Sequence, residues 1–306
     1  MITIKEHVPL SSYTTFGIGG PARYFCEAKT ENDVHEALLW ARERGLPYFV
    51  LAGGSNILVP DEGIEALVIK MDLEKWSISG TVLEAEAGCN LLQTIRSVAL
   101  LSLGGWEKLS GIPGTIGGAV RGNAGAFGPE MKDFLVWAYA LNTHTLETHE
   151  FSNEECEFAY RMSFFKKQPE WIILKTHIQL RKTDTKDSVR AIEDTIKERE
   201  KRHIQNVRAA GSYFVNPVVS DQVRELFEKE KAMRSREGRV PAGWLIEKVG
   251  MKGARVGGAE ASEQHPNYLM NAGGAKASDV RELAAKIKSA VREELGVELE
   301  EEAVVL

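Results

Sequence analysis

The sequence predicts a chain of mixed α and β elements in two domains, or one large domain with a smaller partner. Three observations lead there. The length, 306 residues, exceeds what one compact core usually organises. Residues 29–69 follow a strand–helix–strand rhythm with a glycine turn at a strand end, and residues beyond Trp76 turn to short strands broken by a glycine-rich segment. From Gly211 onward the character changes again and closes on an amphipathic helix.

Taken in order, residues 22–28 read as a strand entered from the tight turn Gly17-Ile18-Gly19-Gly20. That turn formally fits a dinucleotide-binding glycine pattern. A strand follows it, however, so no helix N-terminus is there to hold a pyrophosphate. Residues 29–47 contain a helix: Thr30 and Asp33 suit a capping box, Val34, Ala37, Leu38 and Ala41 share one face, and Gly45 with Pro47 stop it. The apolar run 48–51 is the next strand, followed by Gly53-Gly54-Ser55-Asn56 and a further strand over 66–69. Short strands surround Ser79-Gly80, and Asn90 suits the cap of a helix running to about 103. Strand-like runs resume over 135–142 and 171–180, and a polar helix runs from 188 to about 203. The last helix has Ser278 as its expected N-cap, Val280, Leu283, Ala284, Ile287 and Val291 as its apolar face, and Gly296 as its end. A strand over 298–306 closes the chain.

Composition narrows the function classes. Hydrophobic residues make up 43% and charged residues 27%, as in an ordinary globular protein. The net charge of -6, with no long basic run, argues against general nucleic-acid binding. Cys26, Cys89 and Cys156 are odd in number and far apart, which predicts neither a disulfide framework nor a metal site and fits a reducing cytoplasm. The opening MITIKEHVPLSS has no signal-peptide core, and no segment has the apolar length to span a bilayer.

Five segments are candidates for chemistry. Gly53-Gly54-Ser55-Asn56 follows a strand, where glycine lets backbone N–H groups approach an anion, although such clusters are also plain turns; no Walker lysine follows. GIPGTIGGAVRGNAGAFG holds seven glycines between Gly111 and Gly128 and is too apolar for a linker. With Ser110, Thr115 and Asn123 it suits backbone wrapped around a cofactor's phosphates and flat ring. Arg161, among aromatics in FAYRMS, is either a stem covering its neighbours or an anion clamp. Ser212 follows a glycine at an abrupt turn, but Val215 stands where a nucleophile elbow would have its second glycine. Glu300-Glu301-Glu302 reads by itself as a solvated acidic end.

Eight stretches together resemble the bacterial UDP-N-acetylenolpyruvoylglucosamine reductases, the MurB family. In that family's order they are YTTFGIGGPARYF, LAGGSNILV, LSGIPGTIGGAVRGNAGAFG, YRMSFF, AGSYFVNP, AGWLIEKVGMKGARVGGAEAS, HPNYLMN and ELGVELEEEAVVL. The resemblance implies an α+β fold: a vanillyl-alcohol-oxidase-like FAD-binding domain over 1–185, with subdomains about 1–72 and 73–185, then a smaller substrate-binding domain over 186–306 whose last strand returns towards the active site. It implies non-covalent FAD, NADPH as reductant, no metal, and reduction of the enolpyruvyl ether of UDP-N-acetylglucosamine to UDP-N-acetylmuramate by a cytoplasmic monomer.

Residue roles carry over from the same resemblance. Ser212 matches the serine that protonates the substrate, Arg161 the active-site arginine, and Glu302 the C-terminal catalytic glutamate. FAD would be held by Gly53, Gly54, Ser55 and Asn56, by Ser110, Gly111, Ile112, Pro113, Gly114 and Thr115, and by Gly117, Gly118, Asn123, Ala124 and Gly125. Substrate contacts would come from Tyr160, Lys201, Arg202, Asn216 and His265. Hydride delivered to the terminal alkene carbon leaves negative charge on the adjacent carbon and its carboxylate. A planar, always-charged guanidinium suits that charge, and a positioned hydroxyl can protonate so basic a carbon.

The chain departs from the family twice. Glu301 stands where a proline usually separates two glutamates, leaving Glu300, Glu301 and Glu302 all open as the reactive carboxylate. The short stretch between Arg161 and Ser212 resembles the branch without a tyrosine-bearing capping loop. Two other readings keep the fold: an FAD-dependent oxidase of a hydroxylated small molecule, and a non-catalytic flavin- or nucleotide-sugar-binding protein. An oxidase needs no proton donor, so Arg161, Ser212 and Glu302 together argue against the first.

Overall fold

The computed structural model describes residues 2–201 and 207–306. In chain order the elements are β1 (Lys5–Pro9), β2 (Pro21–Ala28), α1 (Glu31–Glu43), β3 (Tyr48–Leu51), β4 (Ile57–Leu58), β5 (Ile64–Met71), β6 (Trp76–Ser79), β7 (Val82–Glu86), α2 (Leu91–Ala99) and β8 (Leu103–Gly104). There follow α3 (Ile116–Arg121), β9 (Leu135–Asn142), β10 (Thr148–Ser152), α4 (Phe164–Lys167), β11 (Trp171–Gln179), β12 (Arg181–Lys182) and α5 (Thr185–Lys201). The chain ends with α6 (Asp221–Lys231), α7 (Ala242–Lys248), β13 (Arg255–Val256), β14 (Ala259–Ala261), β15 (Leu269–Asn271), α8 (Ala277–Leu295) and β16 (Val304–Val305).

Two compact units emerge. The first comprises Met1–Val8, Ala22–Gly53 and Glu65–Lys201; the second comprises Pro9–Pro21, Gly54–Ile64 and Arg202–Leu306. Helix α5 thus lies within the first unit, and two early segments lie within the second.

The first unit holds a four-stranded sheet, ordered β1-β2-β5-β3, and a five-stranded antiparallel sheet, ordered β10-β9-β11-β7-β6. Strands β3 and β5 run parallel, Tyr48 opposite Leu67. Four consecutive residues of β5, Ala66 to Ile69, are all buried, so the strand is covered on both faces. Helix α1 forms where its periodicity predicts. Thr30 accepts the Asp33 N–H at 3.1 Å, Asp33 accepts the Thr30 N–H at 2.9 Å, and Val34, Ala37, Leu38 and Ala41 are buried. Helix α2 stops at Ala99, and residues 103–104, read from the sequence as its end, pair as a strand with β12. All three cysteines are buried free thiols, each pushed up to about 12 by burial, so they behave as core apolar groups.

The second unit is organised by α8, whose predicted face of Val280, Leu283, Ala284, Ile287 and Val291 is buried against Phe214, Trp244 and Leu245 among others. Phe16, Ile18 and Leu58 belong to this same core, which explains why the two early segments join the unit. Ser278 is not the N-cap of α8. The helix starts at Ala277, two residues earlier than that cap implies, and its first two N–H groups, from Ala277 and Ser278, go to Asp61 at 2.7 and 3.0 Å. A side chain 216 residues away therefore caps the helix, and no local sequence pattern signals that. At the other end Gly296 takes a left-handed φ of 64°, as expected. Of the strand expected over 298–306, only Val304–Val305 pairs regularly, in parallel with β4. No helix of the described residues is long and apolar enough to cross a membrane.

Candidate active site

In the first unit, the turn after β3 lies directly on the glycine-rich segment. A Cβ on Gly53 would sit 2.6 Å from the Gly114 Cα, so position 53 tolerates no side chain without a backbone shift. Thr115 caps α3 by accepting the Gly118 N–H at 3.3 Å. The Ile116 and Gly117 N–H groups reach the Cys89 and Ala87 carbonyls, both at 2.9 Å, which ties the segment to the end of β7. Ser110 is 1% exposed, and its hydroxyl has no hydrogen-bond partner among the described residues.

Asn123 is fully buried and braces the rest of the segment. Its amide nitrogen donates to Glu130 Oε2 and to the Ala159 carbonyl, both at 2.9 Å, and its amide oxygen accepts the Lys132 N–H at 3.1 Å. Its carboxamide is thereby committed to bonds within the protein.

The Ala159 carbonyl belongs to a tight hairpin in which Ala159 and Met162 exchange both backbone hydrogen bonds at 3.1 Å, with Tyr160 and Arg161 at its tip. Arg161 takes a left-handed φ of 55°, an unfavourable conformation for a branched-free but bulky residue and one that clusters at functional positions. Its guanidinium lies 5.0 Å from the Tyr160 ring centroid and donates through Nη2 to the Gly125 carbonyl at 3.1 Å. The Lys166 ammonium donates to the Arg161 carbonyl at 3.1 Å, and the Ser163 hydroxyl donates to the Arg121 carbonyl at 2.6 Å. Tyr160, Arg161 and the Asn123–Gly125 turn are therefore one assembly. Arg121, which the sequence did not single out, sits within it, and burial lowers its guanidinium's affinity for its proton.

In the second unit, Gly211 takes a φ of 73° and turns the chain into Ser212. The residues after Ser212 are locked by buried Asn267. Its backbone carbonyl accepts the Tyr213 N–H at 2.7 Å, and its carboxamide exchanges two bonds with the Phe214 peptide at 2.9 and 2.8 Å. Asn267 was legible only as part of the HPNYLMN stretch. The Ser212 hydroxyl itself makes no hydrogen bond among the described residues, so a rigid backbone presents it with its proton available.

Glu302 lies beside this turn. Its N–H donates to the Tyr213 carbonyl at 2.7 Å, and its carbonyl accepts from Asn56 Nδ2 at 3.0 Å. The three glutamates separate clearly. Glu301 pairs with Lys288 of α8 at 3.4 Å, Glu300 is exposed, and Glu302 is half-buried. Gly54 and Asn56 belong to the same unit; a Cβ on Gly54, at φ 61°, would overlap the Tyr13 carbonyl.

The remaining substrate candidates are placed as follows. Asn216 accepts the Ala242 N–H at 2.9 Å through Oδ1 and the Arg239 guanidinium at 3.0 Å through its carbonyl. His265 packs edge-on to Tyr268, 4.9 Å between ring centroids. Lys201 is exposed at the end of α5 in the first unit, and Arg202 lies outside the described residues. Among the described residues no group of three or more His, Cys, Asp and Glu side chains could hold a metal.

Comparison with known proteins adds a second line. Residues 202–306 match a family model described as the C-terminal domain of UDP-N-acetylenolpyruvoylglucosamine reductase, and residues 22–144 match one described as an FAD binding domain. The chain is 35% identical to the UDP-N-acetylenolpyruvoylglucosamine reductase of Solibacter usitatus, covering 98% of this chain and 96% of that one. It is 36% identical to the enzyme of that name from Pseudomonas aeruginosa, covering 98% of both. The crystal structure of the Thermus caldophilus reductase superposes with a TM-score of 0.80 at 32% identity, over 100% of this chain and 99% of that one. The α+β class expected from the resemblance is thus the observed fold.

Proposed function

Because the chain belongs to the UDP-N-acetylenolpyruvoylglucosamine reductase family, we propose that it reduces UDP-N-acetyl-3-O-(1-carboxyvinyl)-glucosamine to UDP-N-acetylmuramate with NADPH and non-covalent FAD, as a cytoplasmic monomer supplying peptidoglycan precursors. The observation that supports it most is the Ser212 turn: a hydroxyl with no hydrogen bond among the described residues, on a peptide anchored by Asn267 and joined through Tyr213 to Glu302.

The residues present fit FAD. Ser110 offers a buried hydroxyl with no hydrogen-bond partner among the described residues, of the kind a bound group would satisfy, and it lies in the glycine-rich segment against which the Gly53 turn packs. The resemblance assigns to FAD Gly53 to Asn56, Ser110 to Thr115, Gly117, Gly118, and Asn123 to Gly125. Bound FAD supplies transfer of hydride from NADPH to the substrate.

The rest of the chemistry belongs to the side chains. Arg161, held by Tyr160 and the Gly125 carbonyl, binds the enolpyruvyl carboxylate and the charge that gathers on it. Ser212 gives its proton to the carbon next to that carboxylate. A serine hydroxyl is too weak an acid for an ordinary acceptor, so its position against a carbanion-like centre is what makes it competent. Glu302 orients the same group and, when protonated, donates to it. Asn216, beside Arg239, contacts the nucleotide-sugar. The short run from Arg161 to Ser212 supports placing the chain in the branch without the capping loop.

Two half-reactions test this. Anaerobic NADPH should bleach the yellow protein, and the enolpyruvyl nucleotide should restore its colour. In Ser212→Ala, bleaching should persist while recovery falls by roughly 10³-fold or more. Recovery at a near wild-type rate would remove Ser212 from its role. Restoration of colour by oxygen alone would favour an oxidase, and failure to bleach would favour a binding protein.

A further inference from the structure

We propose that Asn56 is a positioning residue for Glu302: its carboxamide holds the peptide that carries the carboxylate, so that Glu302 stays in place beside Ser212. The inference rests on the roles of Glu302 and Ser212 proposed above. It changes the part played by Asn56, which the resemblance assigns only to the cofactor.

Glu302 occupies a crossover in the chain. Just before it, Glu301 forms a bridge with Phe214, and the Glu300 carbonyl accepts the Val215 N–H at 2.9 Å. Just after it, Val304 and Val305 pair with Ile57 and Leu58. At Glu302 the tail leaves the edge of one segment and joins another, so a regular ladder cannot serve both of its peptide groups. The Tyr213 carbonyl takes the Glu302 N–H at 2.7 Å and the Ala303 N–H at 3.3 Å. Asn56 supplies the other side: Nδ2 donates to the Glu302 carbonyl at 3.0 Å, and its own carbonyl accepts the Val304 N–H at 3.0 Å. One residue thus grips the tail on both sides of Ala303.

The Tyr213 carbonyl holds the tail by its N–H groups, and the Asn56 carboxamide holds it by the Glu302 carbonyl. Strand β16 is two residues long, and a parallel pair of that length has little stability of its own. A catalytic group must be held to within about half an ångström, and a misplacement of about 1 Å can cost on the order of 10²-fold in rate. The grip also selects among the glutamates, because with Glu302 pinned, Glu301 is left on the side of Lys288.

The test uses the full-length holoenzyme carrying Asn56→Ala, Asn56→Asp or Asn56→Gln, at saturating flavin. Amide hydrogen exchange at Val304 and neighbouring tail amides should quicken by roughly fivefold in Asn56→Ala, the effect of losing one net hydrogen bond. Reoxidation by the enolpyruvyl nucleotide should fall about tenfold further than reduction by NADPH does, with the loss in kcat rather than KM. In Asn56→Asp a carboxylate would face the Glu302 carbonyl, acceptor against acceptor. The rate should therefore lie below that of Asn56→Ala at pH 8 and rise above it as the new carboxyl becomes protonated and donates again. Asn56→Gln keeps the donor and should recover part of the rate.

Unchanged tail exchange in Asn56→Ala would overturn the proposal. So would equal slowing of both half-reactions, which would mean that Asn56 serves the cofactor alone. If the wild-type protein is not reoxidised by the nucleotide at all, the functional reading fails, and tail exchange alone decides whether Asn56 holds Glu302.

Discussion

The Asp61 carboxylate accepts both of the first two N–H groups of the terminal helix, from Ala277 and Ser278, and the Ser278 hydroxyl adds a third bond at 3.0 Å. Burial pushes the Asp61 carboxyl up, but these three bonds and nearby Lys276 together outweigh it, so it titrates below the ordinary aspartate range. A depressed folded value means that the stabilisation is complete above the ordinary carboxylate pKa and disappears as pH falls through the lower, folded one. Asp61→Asn should cost about 1 kcal/mol at neutral pH, the usual worth of such a cap. The gap between variant and wild type in thermal or denaturant unfolding should close below about pH 4. A gap independent of pH would show that the charge of Asp61 contributes nothing.

Tyr213 presents the opposite case. Its ring is 1% exposed and meets Phe214 edge-on, yet its hydroxyl has no hydrogen-bond partner among the described residues. Burial raises its pKa well above the usual tyrosine value. Removing an unpaired buried hydroxyl also removes its desolvation cost, so Tyr213→Phe should leave stability unchanged or raise it by about 1 kcal/mol. The Tyr213 carbonyl that receives Glu302 is unaffected by this change, and turnover should stay close to wild type. A loss of more than about 1 kcal/mol in denaturant unfolding would mean that the hydroxyl has a partner after all.

Two properties of arginine suit Arg161 to the role proposed for it. Its planar fork can donate to Gly125 and to a carboxylate at once, and its charge is permanent. Arg161→Lys keeps the charge and loses the fork, so kcat/KM for the nucleotide should fall by roughly 10²- to 10³-fold. Flavin reduction by NADPH should change much less. Equal losses in the two half-reactions would point to collapse of the Ala159–Met162 hairpin, because Arg161 also holds a left-handed φ there.

Gly53→Ala probes the cofactor site proposed above. The added methyl would meet the Gly114 Cα at 2.6 Å, where only movement of one backbone segment can make room. Purified Gly53→Ala should carry less flavin than wild type, and titration of the apoprotein should show at least roughly tenfold weaker binding. Full flavin occupancy with wild-type affinity would show that the Gly53–Gly114 contact does not shape the site.

Much of this protein could be read from its chain. Helices α1 and α8 announce themselves because an apolar face repeats every three or four residues, and β5 because a fully buried strand is continuously apolar. The glycine segments were legible because backbone bareness is a local property; Arg161 and Ser212 were marked only by the eight stretches that resemble the family. The limits of that reading have one cause. Asp61 caps a helix 216 residues away, Asn56 holds a carbonyl 246 residues away, and Phe16, Ile18 and Leu58 bury in a core built mainly from residues beyond 209. Such pairings leave no periodic trace, because neither partner is chosen for its neighbours in sequence. Periodicity and turn chemistry determined most of the elements by themselves, whereas the candidate reactive groups stood out only through the family resemblance. Which glutamate stands next to Ser212, and what holds it there, was decided only when distant peptides had to satisfy one another's hydrogen bonds on folding.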